Sequence, residues 1–173
     1  MGVTGCGKST VGQLLADRLG VPFVEGDALH PPGNVERMAR GVALTDEDRR
    51  EWLQALAQRI NAAQHQQGLV VSCSALKRSY REVLRAASPT LAFVHLHGSQ
   101  PVIAERLAAR VGHYMPASLL PSQFQILEVP APDERALTLD LNLPPHTLVD
   151  QAAAWLQTQN TRPDVRPTTS TKA

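Results

Sequence analysis

The chain predicts an α/β fold in which helices flank a mostly parallel sheet. Strand-like apolar runs alternate with amphipathic helical segments from one end to the other. A glycine-rich phosphate-binding pattern opens the chain, and carboxylates follow the first apolar run, at the edge where parallel sheets place ligands. With 173 residues and 43% hydrophobic composition, the chain is long enough to form one domain with a hydrophobic core. We expect this domain over residues 1–159. Residues 160–173 have few apolar groups to bury, so a disordered tail is expected there.

The opening segment MGVTGCGKST fits the pattern G-x-x-x-x-G-K-[S/T] through Gly2, Gly7, Lys8 and Ser9. In a P-loop of this kind, backbone N–H groups form an anion nest at a helix N-terminus. We expect Lys8 to act in catalysis on the β- and γ-phosphates, and the Ser9 hydroxyl to bind Mg²⁺. The predicted cofactors are therefore ATP and Mg²⁺; a glycine-rich turn that merely opens a helix is the alternative. The expected ATP-binding residues of this loop are Gly2, Val3, Thr4, Gly5, Cys6, Gly7, Lys8, Ser9 and Thr10.

Hydrophobic periodicity and helix caps predict the remaining elements in order. Apolar residues spaced three and four apart predict the helices, and short apolar runs predict buried parallel strands. Thr45 is the expected N-cap of the long helix, and Trp52 and Trp155 are expected in the core. The predicted helices are KSTVGQLLADRLG, GNVERMARG, TDEDRREWLQALAQRINAAQHQQG, the segment around LKRSYREVLRAA, SQPVIAERLAARVG and PPHTLVDQAAAWLQTQ. The predicted strands are VPFVEGD, residues 69–73, TLAFVHLHG and ALTLDL.

The segment EGDALHPPGN provides a candidate for the acceptor side of a phosphoryl transfer. A carboxylate that accepts the proton of the acceptor hydroxyl also aligns that hydroxyl with the γ-phosphate. Asp27, at the carboxyl end of a predicted strand, is the best candidate, although a cap or turn residue is equally expected at that position. His30 is a weaker candidate, because a single histidine is commonly a surface or hydrogen-bonding residue.

Arg106 and Arg110 lie four residues apart at the end of a predicted helix, ahead of Gly112 and a proline-containing segment. Such a pair could close over the phosphates of ATP and neutralise charge in the transition state. The alternative is that both arginines interact with the helix dipole only.

The charge balance and the cysteine content exclude several classes of protein. Lys and Arg total 17 against 16 for Asp and Glu, so no general attraction to nucleic acid or to an anionic membrane is expected. No signal pattern and no membrane-spanning apolar run occur in the sequence, and a cytoplasmic location is the expectation. Cys6 and Cys73 are too few for a disulfide framework. Cys6 is interpreted as a small residue at a variable loop position, with redox sensing as the less favoured alternative.

Three segments resemble the small P-loop gluconate kinases in order and spacing: GDALHPPGNVERMARGVALTDEDRREWL, CSALKRSYREVLR and RVGHYMPASLLPSQFQILEVP. The resemblance extends to about Leu156. It implies a fold like that of the nucleoside-monophosphate and shikimate kinases, with a lid at about residues 106–128. It also implies transfer of the ATP γ-phosphoryl group to the 6-hydroxyl of D-gluconate. A kinase of another small hydroxy acid such as shikimate, or a nucleotide-binding protein with impaired catalysis, is the alternative.

The resemblance also assigns roles to individual residues. Asp27 matches the carboxylate that such kinases place against the acceptor hydroxyl, and Arg106 and Arg110 match the lid. Ala43, Glu51 and Val111 depart from residues that are common in the family, which affects the expected affinity more than the reaction type. Arg110 is expected in catalysis and, with Arg106, in ATP binding. The expected substrate-binding residues are Asp27, His30, Arg49, Lys77 and His113.

The resemblance bears on the start of the chain as well. Members of the family carry a short apolar strand ahead of the loop, central in the sheet, and Met1 falls where that strand should end. We therefore expect the first strand to be truncated in this sequence and the true start to lie upstream. The sequence leaves open a homodimer.

Overall fold

A computed structural model describes residues 1–109 and 116–160, with only the backbone at residue 160. Its strands and helices alternate as the sequence predicts. The strands are β1 Phe23–Glu25, β2 Val70–Ser72, β3 Phe93–His97 and β4 Ala136–Asp140. The helices are α1 Lys8–Leu19, α2 Pro32–Ala39, α3 Arg50–Ala63, α4 Arg78–Ala87, α5 Gln100–Ala108, α6 Leu120–Ile126 and α7 Pro145–Asn160.

The strands form two parallel pairs. Val24 of β1 lies opposite Val71 of β2, and His95 of β3 lies opposite Thr138 of β4. Met1 and Gly2 lie between the pairs. The Met1 nitrogen donates to the Val94 carbonyl, the Met1 carbonyl accepts from Leu96 N–H at 3.0 Å, and Gly2 N–H donates to the Ser74 carbonyl at 3.1 Å. The order across the molecule is therefore β1, β2, the Met1–Gly2 segment, β3 and β4.

Apolar side chains on both faces of the strands form the core. One cluster joins α1, α5 and α7 to β3 and β4 through residues such as Leu15, Ile103 and Leu148. A second joins α3 and α4 to the β2 side through Trp52 and Leu84. Helices thus cover both faces, as expected for parallel strands. No helix of the described residues is long and apolar enough to cross a membrane.

Two details of the sequence interpretation are wrong. The long helix begins at Arg50 rather than after Thr45. The Asp48 carboxylate accepts hydrogen bonds from the backbone and hydroxyl of Thr45, while the Thr45 hydroxyl accepts from Asp48 N–H; this ring of bonds stabilises a separate turn before α3. Trp155 is only half-buried, whereas Trp52 is fully buried as predicted.

A buried ion pair ties α4 to the segment after α6. Both nitrogens of one edge of the Arg81 guanidinium donate to the Glu134 carboxylate, at 2.6 and 2.8 Å. The remaining nitrogen donates to the carbonyls of Ala75, Leu76 and Glu128. Hydrogen bonds from Arg81 hold the pKa of Glu134 down at about 2. Because each partner satisfies the other, the charges tolerate complete burial.

Candidate active site

The phosphate loop has the backbone conformation of an anion nest. Gly2, Gly5 and Gly7 have φ angles of 141°, 78° and 91°, in the region that favours glycine. A Cβ on Gly2 would lie 2.8 Å from the Leu96 carbonyl, so this position admits no side chain. Gly7 precedes α1, and no side chain caps the helix. The N–H groups of its first turn therefore remain for an anionic ligand.

Two side chains hold the loop in place. Lys8 Nζ donates to the Val3 carbonyl at 3.0 Å, so the lysine lies along its own loop. Gln123 of α6 accepts from Thr4 N–H through Oε1 at 2.7 Å. Both Thr4 and Gln123 are buried. This hydrogen bond connects the loop to α6, which lies within the predicted lid segment.

Asp27 lies in a short 3₁₀ turn, residues 26–29, directly after β1. The turn approaches β2 closely: a Cβ on Gly26 would lie 2.2 Å from the Ser72 carbonyl. Glycine at position 26 is therefore required to place Asp27 next to the phosphate loop. Asp27 and Lys8 line the same cleft, as the prediction for these two residues requires.

His30 ends this turn and lies flat on Trp52. The ring centroids are 4.5 Å apart, with 7° between the planes, and Trp52 Nε1 donates to the Gly26 carbonyl at 2.8 Å. Burial, aided by the positive charge of Arg49, lowers the pKa of His30 to about 4. His30 is therefore neutral at physiological pH. Its Nδ1 is buried and has no hydrogen-bond partner among the described residues.

Arg49 is the buried cation of the cleft, with 7% of the residue exposed. Its guanidinium lies 5.9 Å from the centre of the Tyr80 ring, and Nη2 donates to the Leu44 carbonyl at 3.4 Å. Nε is buried without a partner in the described part of the chain. A buried guanidinium with an unused donor is suited to bind an anion.

The cleft between these groups is narrow, with a volume of about 30 Å³. Lys8, Asp27, His30 and Arg49 line it together with Gln123. Met38, Leu44 and Leu119 pack against one another beside it. The space is sufficient for about one water molecule, so a larger ligand requires this apolar contact to open.

Lys77 does not line this cleft. Its Nζ binds both carboxylate oxygens of Asp46 at 2.7 Å, and the Tyr80 hydroxyl donates to the same carboxylate. The hydrogen bonds from Lys77 and, to a smaller extent, the one from Tyr80 lower the pKa of Asp46. Both cations lie near the Tyr80 ring: Lys77 Nζ is 5.7 Å and the Arg49 guanidinium carbon 5.9 Å from its centre.

The predicted lid residues are described only in part. Arg106, in α5, donates through Nη2 to the Leu141 carbonyl at 2.8 Å, which places its guanidinium near the turn after β4. Arg110 and His113 lie outside the described residues. Cys6 is buried, which favours the interpretation as a small packed residue, and Cys73 is buried as well.

The residues present suit a magnesium ion held mainly by phosphate and water. The Ser9 hydroxyl is exposed in the first turn of α1, beside the nest. Among the described residues no group of three His, Cys, Asp or Glu could hold a metal. Mg²⁺ needs no such cage, because it usually keeps several waters and takes one or two protein oxygens plus substrate phosphates.

Sequence reasoning missed Gln123 and the second role of Trp52. The polar run SQFQ within an otherwise apolar segment was the available signal for Gln123. Trp52 was assigned to the core correctly, but it also forms the surface on which His30 lies. Nothing in the local sequence pairs these residues.

Comparison with known proteins gives consistent matches. The shikimate kinase family model matches residues 4–118. A gluconokinase of Gluconobacter oxydans is 47% identical over 164 residues, which cover 92% of this chain and 90% of that protein. A solved gluconokinase from Sinorhizobium meliloti has a TM-score of 0.83 at 50% identity, covering 91% of this chain and 89% of that one. An unliganded sugar kinase from a Janibacter species has a TM-score of 0.86 at 47% identity, covering 91% of each chain.

Proposed function

Because the chain belongs to the gluconokinase family of small P-loop kinases, we propose that it transfers the γ-phosphoryl group of ATP to the 6-hydroxyl of D-gluconate. The products are 6-phospho-D-gluconate and ADP. The observation that carries this proposal is one cleft in which Lys8, Asp27, His30 and Arg49 meet beside the phosphate loop.

The loop binds the triphosphate of ATP through backbone N–H groups of Gly5 to Thr10. Lys8 leaves the Val3 carbonyl, to which it donates at 3.0 Å, and binds the β- and γ-phosphates instead. The Ser9 hydroxyl would hold Mg²⁺, which would neutralise charge on the phosphates. Arg106, together with Arg110, which lies outside the described residues, stabilises the charge of the transferring group.

Asp27 accepts the hydrogen bond of the gluconate 6-hydroxyl and takes its proton as the oxygen–phosphorus bond forms. The bond between the γ-phosphorus and the bridging oxygen breaks, and the electron pair leaves with ADP. Because the turn after β1 is fixed against β2 by the close approach of Gly26 to Ser72, Asp27 can align the hydroxyl as well as deprotonate it.

Arg49 binds the carboxylate of gluconate through its unused Nε and the adjacent nitrogen. A guanidinium pairs with a carboxylate through two parallel hydrogen bonds. Neutral His30, with its buried Nδ1 unpaired in the described part of the chain, binds a hydroxyl of the polyol. Lys77 is engaged by Asp46 outside the cleft, so we assign it no contact with the substrate, and His113, outside the described residues, is retained as a proposed substrate-binding residue.

Gluconate is much larger than the 30 Å³ cleft. Binding therefore requires the contact among Met38, Leu44 and Leu119 to open, and closure afterwards excludes water from the transferring phosphoryl group.

The proposal is tested by measuring ADP release with MgATP and D-gluconate, shikimate or AMP. Gluconate should react far faster than the other two, because a cleft built to pair several hydroxyls rejects compounds that leave its polar groups unpaired. Equal rates with all three acceptors would contradict the gluconate assignment.

The Asp27→Asn variant tests the proposed role of this residue. It should lower kcat by about 10²-fold or more with little change in the KM for ATP. Asp150→Asn, on the exposed surface of α7, is the control and should keep the original kcat. An Asp27→Asn enzyme with unchanged kcat would show that Asp27 is a turn residue only.

A further inference from the structure

The turn that carries Asp27 lies between β2 and α3. On the β2 side, a Cβ on Gly26 would lie 2.2 Å from the Ser72 carbonyl oxygen, so the two backbones approach closely. On the α3 side, the same Cβ would lie 3.2 Å from a methyl group of Leu56. We call residues 26–30 the Asp27 turn. Because packed neighbours lie on both sides, its position depends on the side chains that α3 directs at it.

Trp52 of α3 contacts both ends of the Asp27 turn. At the start of the turn, the indole Nε1–H donates to the Gly26 carbonyl at 2.8 Å. At its end, the His30 ring lies on the indole, with 4.5 Å between the ring centroids and 7° between the planes. Asp27 lies between these two contacts. One side chain therefore holds the backbone directly before Asp27 and the ring that follows it.

The indole does more here than fill the core. Trp52 is fully buried, so its N–H needs a hydrogen-bond partner inside the protein, and the turn provides one. Other buried side chains of the same core cluster, among them Leu84 and Phe93, have no polar atom. A leucine or phenylalanine at position 52 would also be apolar, but it would leave the Gly26 carbonyl without this donor.

The same end of α3 carries Arg49. This residue directly precedes α3, and its carbonyl accepts a helical hydrogen bond from Leu53 N–H at 2.9 Å. Arg49 and Trp52 therefore belong to one turn of helix. In the proposed function, Arg49 binds the gluconate carboxylate and Asp27 binds the 6-hydroxyl. The helix end that presents the first group thus also holds the turn that presents the second.

We propose that Trp52 is a positioning residue that sets the distance between Arg49 and Asp27, and thereby the length of the sugar acid that the cleft accepts. This inference rests on the proposed function. A carboxylate fixed at Arg49 and a hydroxyl fixed at Asp27 specify one chain length, because an acid one carbon shorter reaches one of the two groups less well. Discrimination against the shorter acid then depends on a residue to which we assign no contact with the substrate.

The test removes the indole donor with a limited change of shape. Trp52→Phe keeps an aromatic ring for His30 but donates no hydrogen bond. If this variant does not fold, benzothienylalanine in place of tryptophan removes the N–H alone, because sulfur replaces the nitrogen. In a Trp155→Phe background it enters at position 52 only, since the chain has 2 tryptophans. Phe93→Leu, on β3 in the same core cluster, is the matched control for lost packing.

Hydrogen exchange of the His30 amide, followed by NMR, reports whether the turn is held and requires no substrate. This amide donates to the Asp27 carbonyl at 3.3 Å, and the Leu53 amide, bonded within the first turn of α3, is the internal reference. Trp52→Phe should speed exchange of the His30 amide by about tenfold or more, and that of Leu53 by less than about threefold. Phe93→Leu should change both amides by the same factor.

The ratio of kcat/KM for D-gluconate to that for the five-carbon acid D-xylonate reports the spacing. In Trp52→Phe, kcat with gluconate should fall by about tenfold or more while the KM for ATP stays nearly constant, because a displaced base costs rate. The preference for gluconate over xylonate should fall by about fivefold or more. A purely structural role would lower the amount of folded enzyme and leave this ratio unchanged, as we expect for Phe93→Leu.

Two results would each overturn the proposal. One is a His30 amide that exchanges at its original rate in the variant without the indole donor. The other is an unchanged preference between the two acids. Failure of the proposed function has a different signature: the original protein would not phosphorylate D-gluconate, and exchange of the His30 amide would still show whether Trp52 holds the turn.

Discussion

Replacement of Arg81 by methionine should be among the most destabilising single changes in this protein. The Arg81 side chain is fully buried and donates five hydrogen bonds, two to Glu134 and three to backbone carbonyls. Methionine fills a similar length of space but donates none of them. The Glu134 carboxylate then remains buried without its main partner.

The magnitude follows from what Glu134 retains. Breaking a buried ion pair by removing one partner costs about 3–5 kcal/mol. Glu134 keeps a hydrogen bond from Ala131 N–H at 3.0 Å and a longer one from Arg85 at 3.4 Å. The loss should therefore lie near the lower end, about 3 kcal/mol, which is a large part of a typical net stability of about 5–15 kcal/mol.

Urea unfolding followed by circular dichroism measures this loss. Arg78→Ala is the matched control on the same helix, because Arg78 binds Glu82 and Asp133 on the exposed surface, where ion pairs contribute little. The double variant Arg81→Met with Glu134→Leu should lose less stability than the sum of the two single variants, since it removes both charges. A loss below about 1 kcal/mol for Arg81→Met, or an equal loss for Arg78→Ala, would refute this reasoning.

Two further predictions concern the cleft and the pH dependence of stability. Arg49→Met should raise the KM for gluconate at least about tenfold while the KM for ATP stays nearly constant, because a hydrogen bond to a charged group contributes about 1.5–3 kcal/mol. Lys77→Met is the control. An equal effect of both substitutions would contradict the assignment of the gluconate carboxylate to Arg49. Burial lowers the pKa of His95 from 6.5 to about 4. Between these two pH values the unfolded chain is protonated at His95 and the folded chain is not, so the free energy of unfolding decreases as the pH falls from about 6.5 toward 4. The loss reaches roughly 3 kcal/mol for this residue. His95→Phe should reduce this loss of stability, as measured by urea unfolding at several pH values across that range. An unchanged pH dependence would show that His95 does not contribute to it.

Local sequence patterns were sufficient for the phosphate loop and for the order of the elements. The loop needs glycines because its backbone has positive φ angles. This requirement is local and does not depend on the rest of the fold. Helical periodicity located α1 and α4, and the apolar runs located β3 and β4, because these signals are contained within each segment. Asp27 was predicted from its position after a strand, since parallel sheets place ligands at that edge, and it lines the cleft.

Tertiary packing decided which charged side chains face the cleft. Arg49 and Lys77 are both cations in polar segments, and nothing local separates them. Only the packing of α3 against α4 turns Arg49 into the cleft and brings Lys77 to Asp46. The bond from Thr4 to Gln123 joins residues 119 positions apart, and the pairing of Arg81 with Glu134 spans 53. Such contacts depend on shape and burial across several elements, and they stabilise the protein only once those elements have packed. Periodicity and spacing along the chain therefore do not predict them.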